Sequence, residues 1–201
     1  MKNGDDCLVS LGGNCDKGGI SDVDTPHGII VFGVNGSGKT TLAHELARIL
    51  SYKHIDIEDY AFEEAEVPYS KPRPRDECIS LMLADVEKHS KFVFSTCVGD
   101  WGDIIPQFYR LAVLVSVPYE LRMERVKKRT YDKYGGRICA GGDMYEQTLK
   151  FFDFIATRPL SRIEQWAETL TCPTIRIDGT EDWRTSATNI VKQFLKMEGS
   201  V

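Results

Sequence analysis

The residues Gly33-Val34-Asn35-Gly36-Ser37-Gly38-Lys39-Thr40 spell G-x-x-x-x-G-K-T, between an apolar run, Gly28 to Phe32, and a run of helical pattern, Thr41 to Leu50. That order leaves few folds open. A buried strand that ends in a glycine-rich turn and feeds a helix aims backbone N–H groups and the positive end of the helix dipole at one anion. In this setting the motif predicts a nucleoside triphosphate site. Glycines at 33, 36 and 38 let the main chain adopt positive φ and approach phosphates without a Cβ in the way. Lys39 is expected to reach the β/γ oxygens and the Thr40 hydroxyl to bind Mg²⁺, while Asn35, Ser37 and Thr41 complete the contact with ATP.

Beyond the loop, strand-like and helix-like segments alternate, which predicts an α/β fold with a parallel sheet covered by helices on both faces. Further strands are expected at Tyr52 to Ile57, Lys91 to Thr96, Leu111 to Val117 and Thr174 to Ile177. The fourth, as the most apolar run, is expected to be central. Leu42, Leu46, Ile49 and Leu50 share one buried face of the first helix. Arg75 to His89 is amphipathic, with Ile79, Met82, Leu83 and Val86 on one side. Pro118 opens a helix running to about Arg129. Between Thr130 and Gly142 two glycine pairs, Gly135-Gly136 and Gly141-Gly142, flank Arg137, which predicts a hinged lid over about residues 130–143. Asp143 with Glu146 has the spacing of an N-cap and its reciprocal Glu, so a helix is expected from there to Thr157. Two more follow, Pro159 to Thr169 and Trp183 to Lys196.

The 201 residues suffice for one domain, expected over residues 27–201, with residues 1–26 as a flexible extension that carries a short apolar run, Cys7 to Leu11. A net charge of −5 argues against broad nucleic-acid binding. No apolar stretch approaches the ~18 residues of a membrane-spanning helix, and the first residues lack the core of a secretory signal. A cytoplasmic protein, monomer or homodimer, is therefore expected. The cysteines are scattered without a C-x-x-C pair, which predicts free thiols rather than a zinc site, with Cys97 a small buried apolar residue.

Phosphoryl transfer needs positive charge where the equatorial oxygens gather negative charge, and a mobile lid can deliver it while excluding water. Arg122, Arg125 and Arg129 recur at helical spacing on one face, with Arg137 in the lid beyond them. Glu120 and Glu124 could instead pair with these arginines on a solvated face. The acidic candidates are Asp56, Glu58, Asp59 and Asp100, at the carboxyl ends of strands where ligands of parallel sheets gather. Asp56 and Asp100 are the expected metal or base carboxylates, with Asp59 next, since alternation along an extended strand puts Asp56 and Glu58 opposite Ile57 and Asp59. Arg73 and Arg75 could grip an anionic acceptor bidentately, or belong to a solvated loop.

The chain resembles the P-loop kinases of the nucleoside monophosphate kinase and shikimate kinase group over about residues 28 to 197. The likeness rests on Gly33 to Thr40, on Asp56 to Asp59, on Val117 to Arg125 leading to the lid, and on Asp178-Gly179-Thr180. It is also similar, from Lys133 to Glu146, to uncharacterised bacterial proteins labelled AAA family ATPases. The resemblance implies a three-layer fold with sheet order 2-3-1-4-5, Arg125 or Arg129 over adenine, Gly179 and Thr180 beside it, and Gly99 near the acceptor. Adenylate kinases carry a Gly-Phe-Pro-Arg-like segment after the third strand and shikimate kinases a glycine triplet. This chain has Val98-Gly99-Asp100-Trp101-Gly102 instead, so neither substrate specificity transfers.

These features point to a small-molecule or nucleotide kinase using ATP and Mg²⁺. The alternatives are a nucleotide-binding ATPase or regulatory protein and a kinase of polynucleotide ends. An AAA motor would carry Asp-Glu at the end of a hydrophobic strand, and a GTPase an Asn/Thr-Lys-x-Asp base-reading motif. Neither is present.

Overall fold

In the computed structural model, which describes residues 25–199, five parallel strands form one sheet in the order β2-β3-β1-β4-β5. The elements run β1 His27–Phe32, α1 Lys39–Leu50, β2 Lys53–Asp56, α2 Ile57–Ala61, α3 Arg75–His89, β3 Lys91–Thr96 and β4 Tyr109–Ser116. They continue with α4 Tyr119–Tyr134, α5 Tyr145–Thr157, α6 Ser161–Ala167, β5 Thr174–Asp178 and α7 Trp183–Glu198. The expected extension lies, up to residue 24, outside the described residues. No helix among the described residues is long and apolar enough to cross a membrane.

The two-residue period of β1 divides the core. Ile30 and Phe32 face α3 and α6, joining Met82, Val86, Phe92, Phe94, Ile163 and Ala167. Ile29 and Val31 face α1 and α7, joining Leu42, Leu46, Ile190 and Phe194. Each such side chain contributes roughly 1.5–3 kcal/mol relative to exposure, which is why β1, buried on both sides, reads as an unbroken apolar run. The result is a three-layer P-loop NTPase fold. A separate small cluster of Met123, Val126 and Ile155, with Phe151 and Phe152 against it, ties α4 to α5 beside the sheet.

Several expectations are corrected. β4 lies inside the sheet, but the centre is β1, with β4 between it and β5. Residues 57–61 are helical rather than extended, because the Asp56 side chain caps them by accepting from the Glu58 N–H at 3.1 Å. The alternation argument for Asp56 to Asp59 therefore does not apply. On α1 the buried stripe is Leu42, Ala43, Leu46 and Ala47, with Ile49 37% exposed. α4 continues past Arg129 to Tyr134, so the hinge begins at Gly135. Asp143 does not cap α5, whose N-cap is Met144; its carboxylate is engaged by Arg137 instead.

Candidate active site

The strand β1 delivers the chain to the phosphate loop at the carboxyl edge of the sheet. The loop closes on itself as the Ser37 N–H donates to the Val34 carbonyl at 3.1 Å. Gly36 and Gly38 have φ of 82° and 93°, a region L side chains rarely adopt. A Cβ on Gly36 would stand 2.4 Å from the Arg122 carbonyl, so α4 is packed against the loop as closely as a hydrogen allows. At Gly38 a Cβ would meet nothing within 4 Å: the space before that residue is open. Gly38 is also the N-cap of α1 and supplies no side-chain cap, which leaves the first N–H groups of the helix for a ligand. Lys39 and Thr40 begin α1 there, half-buried, and Ser37 Oγ is buried with no hydrogen-bond partner among the described residues. A cradle of this shape fits a phosphate chain.

At the Ser37 end of the loop lies a cavity of about 250 Å³, lined by Gly38, Thr41, Val115, Arg125, Asp178, Gly179 and Trp183 among others. Arg125 Nη1 donates to the Gly179 carbonyl at 2.9 Å, bridging α4 to the turn after β5. A Cβ on Gly179 would lie 2.5 Å from the Ser37 carbonyl, so this turn presses directly on the phosphate loop. Thr180 closes the turn by donating its N–H to Asp178 Oδ1 at 2.8 Å. Arg125 and Gly179 thus line this cavity together, while Arg129 lies at the other end of the loop and Thr180 is not part of this lining.

At the Asn35 end lies a second cavity, of about 360 Å³, lined by Asn35, Glu58, Phe62, Tyr69, Arg129, Thr130, Lys133, Tyr134, Met144, Gln147, Thr148 and Phe151. Its outer wall is the segment 62–72, tied at its base where Phe62 pairs with Pro72 and the Glu63 N–H donates to the Lys71 carbonyl at 3.0 Å. Residues of α4, of the stretch after it and of α5 rest on this segment. Arg137 reaches the Glu66 carbonyl at 3.4 Å, Gln147 donates to the Pro68 carbonyl at 3.1 Å, and Lys133 Nζ lies 3.4 Å from the Tyr69 hydroxyl. Tyr69 itself has a φ of 63°. Burial pushes its phenol pKa up, with Glu58 adding to the rise and Lys133 opposing it, so it stays a proton donor at neutral pH.

The acidic candidates separate. Asp56 accepts from Ser95 Oγ at 2.9 Å, and His54 Nε2 lies 3.1 Å from the same hydroxyl. Since Ser95 gives its only proton to Asp56, His54 donates, and the three form an orienting chain beneath the carboxylate. Burial lowers the His54 pKa, against the opposing pull of Asp56. Asp59 is exposed on α2. Asp100 pairs with Arg162 at 3.1 Å, and its carbonyl accepts from Arg75, whose guanidinium lies 4.9 Å from the centre of the Trp101 ring. Arg75 and Asp100 border a different cavity, of about 420 Å³, in whose lining no phosphate-loop residue takes part. Among the described residues no three His, Cys, Asp or Glu side chains converge on a metal position. A Mg²⁺ ion held by Thr40 and Asp56 would therefore keep most of its water, as that ion prefers.

The remaining basic candidates are largely engaged. Arg73 donates to the Tyr60 carbonyl at 2.9 Å and to Glu77 at 2.7 Å, and reaches the Phe62 carbonyl at 3.4 Å. It staples the base of the 62–72 segment rather than presenting a free grip. Arg122 is buried, its guanidinium turned to the Ile155 carbonyl and to the Tyr119 ring, so the three arginines of α4 do not act as one face. Arg129 is exposed at the second cavity. Arg137 holds Asp143 through both Nε and Nη2, the latter at 2.6 Å, and this pair lowers the Asp143 pKa. Gly99 is buried where a Cβ would strike Ile30 and Trp166, which gives it a packing role. Cys97, expected to be buried and inert, is half-buried and its thiol donates to Asn35 Oδ1 at 3.4 Å, linking the end of β3 to the loop.

The family model described as an AAA domain matches residues 29–150, more than half of the chain. The chain belongs to that family. It is 28% identical over 158 residues to the Bacillus subtilis protein YqaC, described as uncharacterized, across 75% of this chain and 87% of that one. A shikimate kinase from Acinetobacter baumannii, solved with shikimate, superposes with a TM-score of 0.52 at 18% identity, covering 86% of this chain and 95% of that one. A gluconokinase from Sinorhizobium meliloti superposes with a TM-score of 0.50 at 16% identity, covering 86% and 93%. At such identities the likeness establishes the fold, that of the P-loop kinase group.

Of the second cavity's residues, Asn35, Glu58, Arg129 and the stretch from Thr130 through Lys133 and Tyr134 to Met144 lay in segments that the sequence had marked, while Phe62, Tyr69, Gln147, Thr148 and Phe151 did not. Phe62, Tyr69, Tyr134 and Phe151 come from three separate segments, and a lone aromatic at each position reads as ordinary core or surface. Of these four rings, Tyr134 alone lies in a segment that the sequence had marked.

Proposed function

We propose that this chain is an ATP-dependent phosphotransferase that moves the γ-phosphate of ATP to a hydroxyl group of a small molecule. The observation that carries the reading is the presence of two cavities at opposite ends of one phosphate loop, the first at Ser37 to Thr41 and the second at Asn35. A hydrolase needs room for a water molecule at the terminal phosphate. The second cavity, at about 360 Å³, has the size of a pocket for an organic ligand.

On this reading the base of ATP occupies the cavity closed by Arg125 and Gly179, and the phosphates follow the amides of residues 36–40 towards Asn35. Lys39 neutralises the β and γ oxygens. Mg²⁺, which such chemistry uses to offset charge on the same oxygens, would be held by Thr40 and, through water, by Asp56. The acceptor oxygen forms its bond to the γ-phosphorus while the bond from that phosphorus to the β,γ-bridging oxygen breaks, and ADP leaves with the electron pair. The acceptor proton passes to Asp56, which Ser95 and His54 hold in position, and then to solvent. Arg129 and Arg137 are the lid cations available to the transferring group, Arg137 after release from Asp143. The free thiols of Cys78, Cys97, Cys139 and Cys172 suit an enzyme of the reducing cytoplasm.

The test is the stoichiometry of ADP against phosphorylated acceptor. ADP released only when an acceptor is supplied, one for each phosphate transferred, supports the kinase. Inorganic phosphate appearing at the same rate with no acceptor present defeats it.

A further inference from the structure

We propose that the cavity at Asn35 takes an alcohol carried on a flat aromatic or heteroaromatic ring, such as a nucleoside or a benzyl-type alcohol, rather than a polyhydroxy acid. The inference rests on the kinase reading and deepens it. Phe62 and Tyr69 meet edge to face at 5.1 Å, and Tyr134 and Phe151 complete a lining in which four aromatic side chains surround the space. Such walls stack a planar ring well, and the polar side chains that share the lining, Asn35, Glu58, Thr130 and Thr148, are placed to meet the groups at its edge.

The charges agree with the rings. A carboxylate acceptor would want a bidentate arginine inside the cavity, yet Arg73 is spent on Glu77 and two carbonyls, Arg75 lies at the other cavity, and Arg129, exposed at this one, is on the kinase reading the cation of the transferring phosphate. Lys133 places its ammonium at the hydroxyl end of Tyr69, 3.4 Å from the oxygen, and 5.2 Å from the centre of the Tyr134 ring, where it ties the two rings together. What remains is suited to the edge of a ring or to a sugar hydroxyl. The Glu58 carboxylate is held by Tyr69 only at 3.3 Å. Tyr69 keeps its place in a backbone conformation that a bulky side chain rarely adopts, the kind of strain that collects where a side chain must be aimed at a ligand.

The experiment uses the full chain with Mg²⁺ and γ-labelled ATP, offering thymidine, uridine, benzyl alcohol, shikimate and gluconate as separate acceptors. Label in at least one ring alcohol, and none in shikimate or gluconate, is the expected result. Phe151→Ala should raise the KM of the ring alcohol about tenfold or more and leave the KM of ATP within about twofold. Phe151→Leu, which keeps apolar volume without a ring to stack, covers the case in which the alanine variant fails to fold. Transfer to shikimate or gluconate in preference to the ring alcohols overturns the inference and leaves the kinase intact. So does an unchanged ring-alcohol KM in the folded variant. Should ATP be split without any acceptor, the kinase falls, and calorimetry decides the ligand class. With a non-hydrolysable ATP analogue filling the base cavity, saturable thymidine binding that Phe151→Leu weakens supports the ring site. No binding of thymidine, uridine or benzyl alcohol sinks it.

Discussion

At the Ser37 end of the phosphate loop the cavity is backed by close main-chain packing, Gly179 against Ser37 and Arg125 bonded to the Gly179 carbonyl, and is lined by side chains such as Val115, Ile177 and Trp183. At the Asn35 end the walls are side chains from the 62–72 segment, α4 and α5, joined across the gap by bonds of 3.1 to 3.4 Å. Walls held by such close packing against the sheet are stiff. Walls of side chains carried on a loop and on helices outside the sheet have fewer contacts to hold them, and on the proposed function they are the ones that select the acceptor.

The difference can be broken at several points. The largest effect is expected at the phosphate end of the stiff site, where Lys39→Ala should lower kcat/KM for ATP by about 10²–10³-fold in steady-state kinetics, with an unchanged melting temperature. Undiminished ATP affinity and turnover in that variant would remove the basis of the whole comparison. Two glycines then separate packing from strain. Gly36→Ala combines a strained φ with a collision and should cost about 2–4 kcal/mol in urea unfolding. Gly38→Ala, strained but facing open space, should cost about 1–2 kcal/mol; equal losses would deny that α4 clamps the loop.

On the mobile side, Arg137→Ala should reduce kcat by about tenfold or more if its guanidinium meets the transferring phosphate. Asp143→Asn, which only frees that arginine from an exposed pair, should stay within about fivefold of the wild type. Identical losses in the two would mean that the pair matters only as a latch.

The smallest effect belongs to His54. Burial holds its folded pKa below the ~6.5 of an exposed imidazole, so the unfolded chain takes the proton first as pH falls. Stability should therefore decline from about pH 6.5 downward, until the folded state also protonates, and then level off. His54→Gln should flatten that part of the urea-midpoint profile, and an unchanged slope would assign it to another group.

Much of the stiff half was legible in advance. The motif names its own residues, and Asp178-Gly179-Thr180 forms the expected turn at the end of β5, with Arg125 bonded to it. The mobile half was hardly legible. Arg73 looked like a grip and is a staple, because only the folded chain brings the Tyr60 and Phe62 carbonyls to it. Asp143 and Glu146 have capping-box spacing, but a guanidinium from the lid won the carboxylate. Asp56 was singled out from its place at a strand end, but what holds its carboxylate was not legible: it caps a helix, and its Ser95 and His54 partners come from β3 and β2.

Sequence by itself determined the phosphate loop, the alternation of strands and helices, and hence an α/β domain with an anion site at a helix start, because those depend on local backbone freedom and on periodicity. The tertiary structure alone decided which arginines are free, which carboxylate is oriented, and that four rings from distant segments share one cavity. Such pairings are long-range choices among chemically equivalent partners, and only the packed chain selects among them.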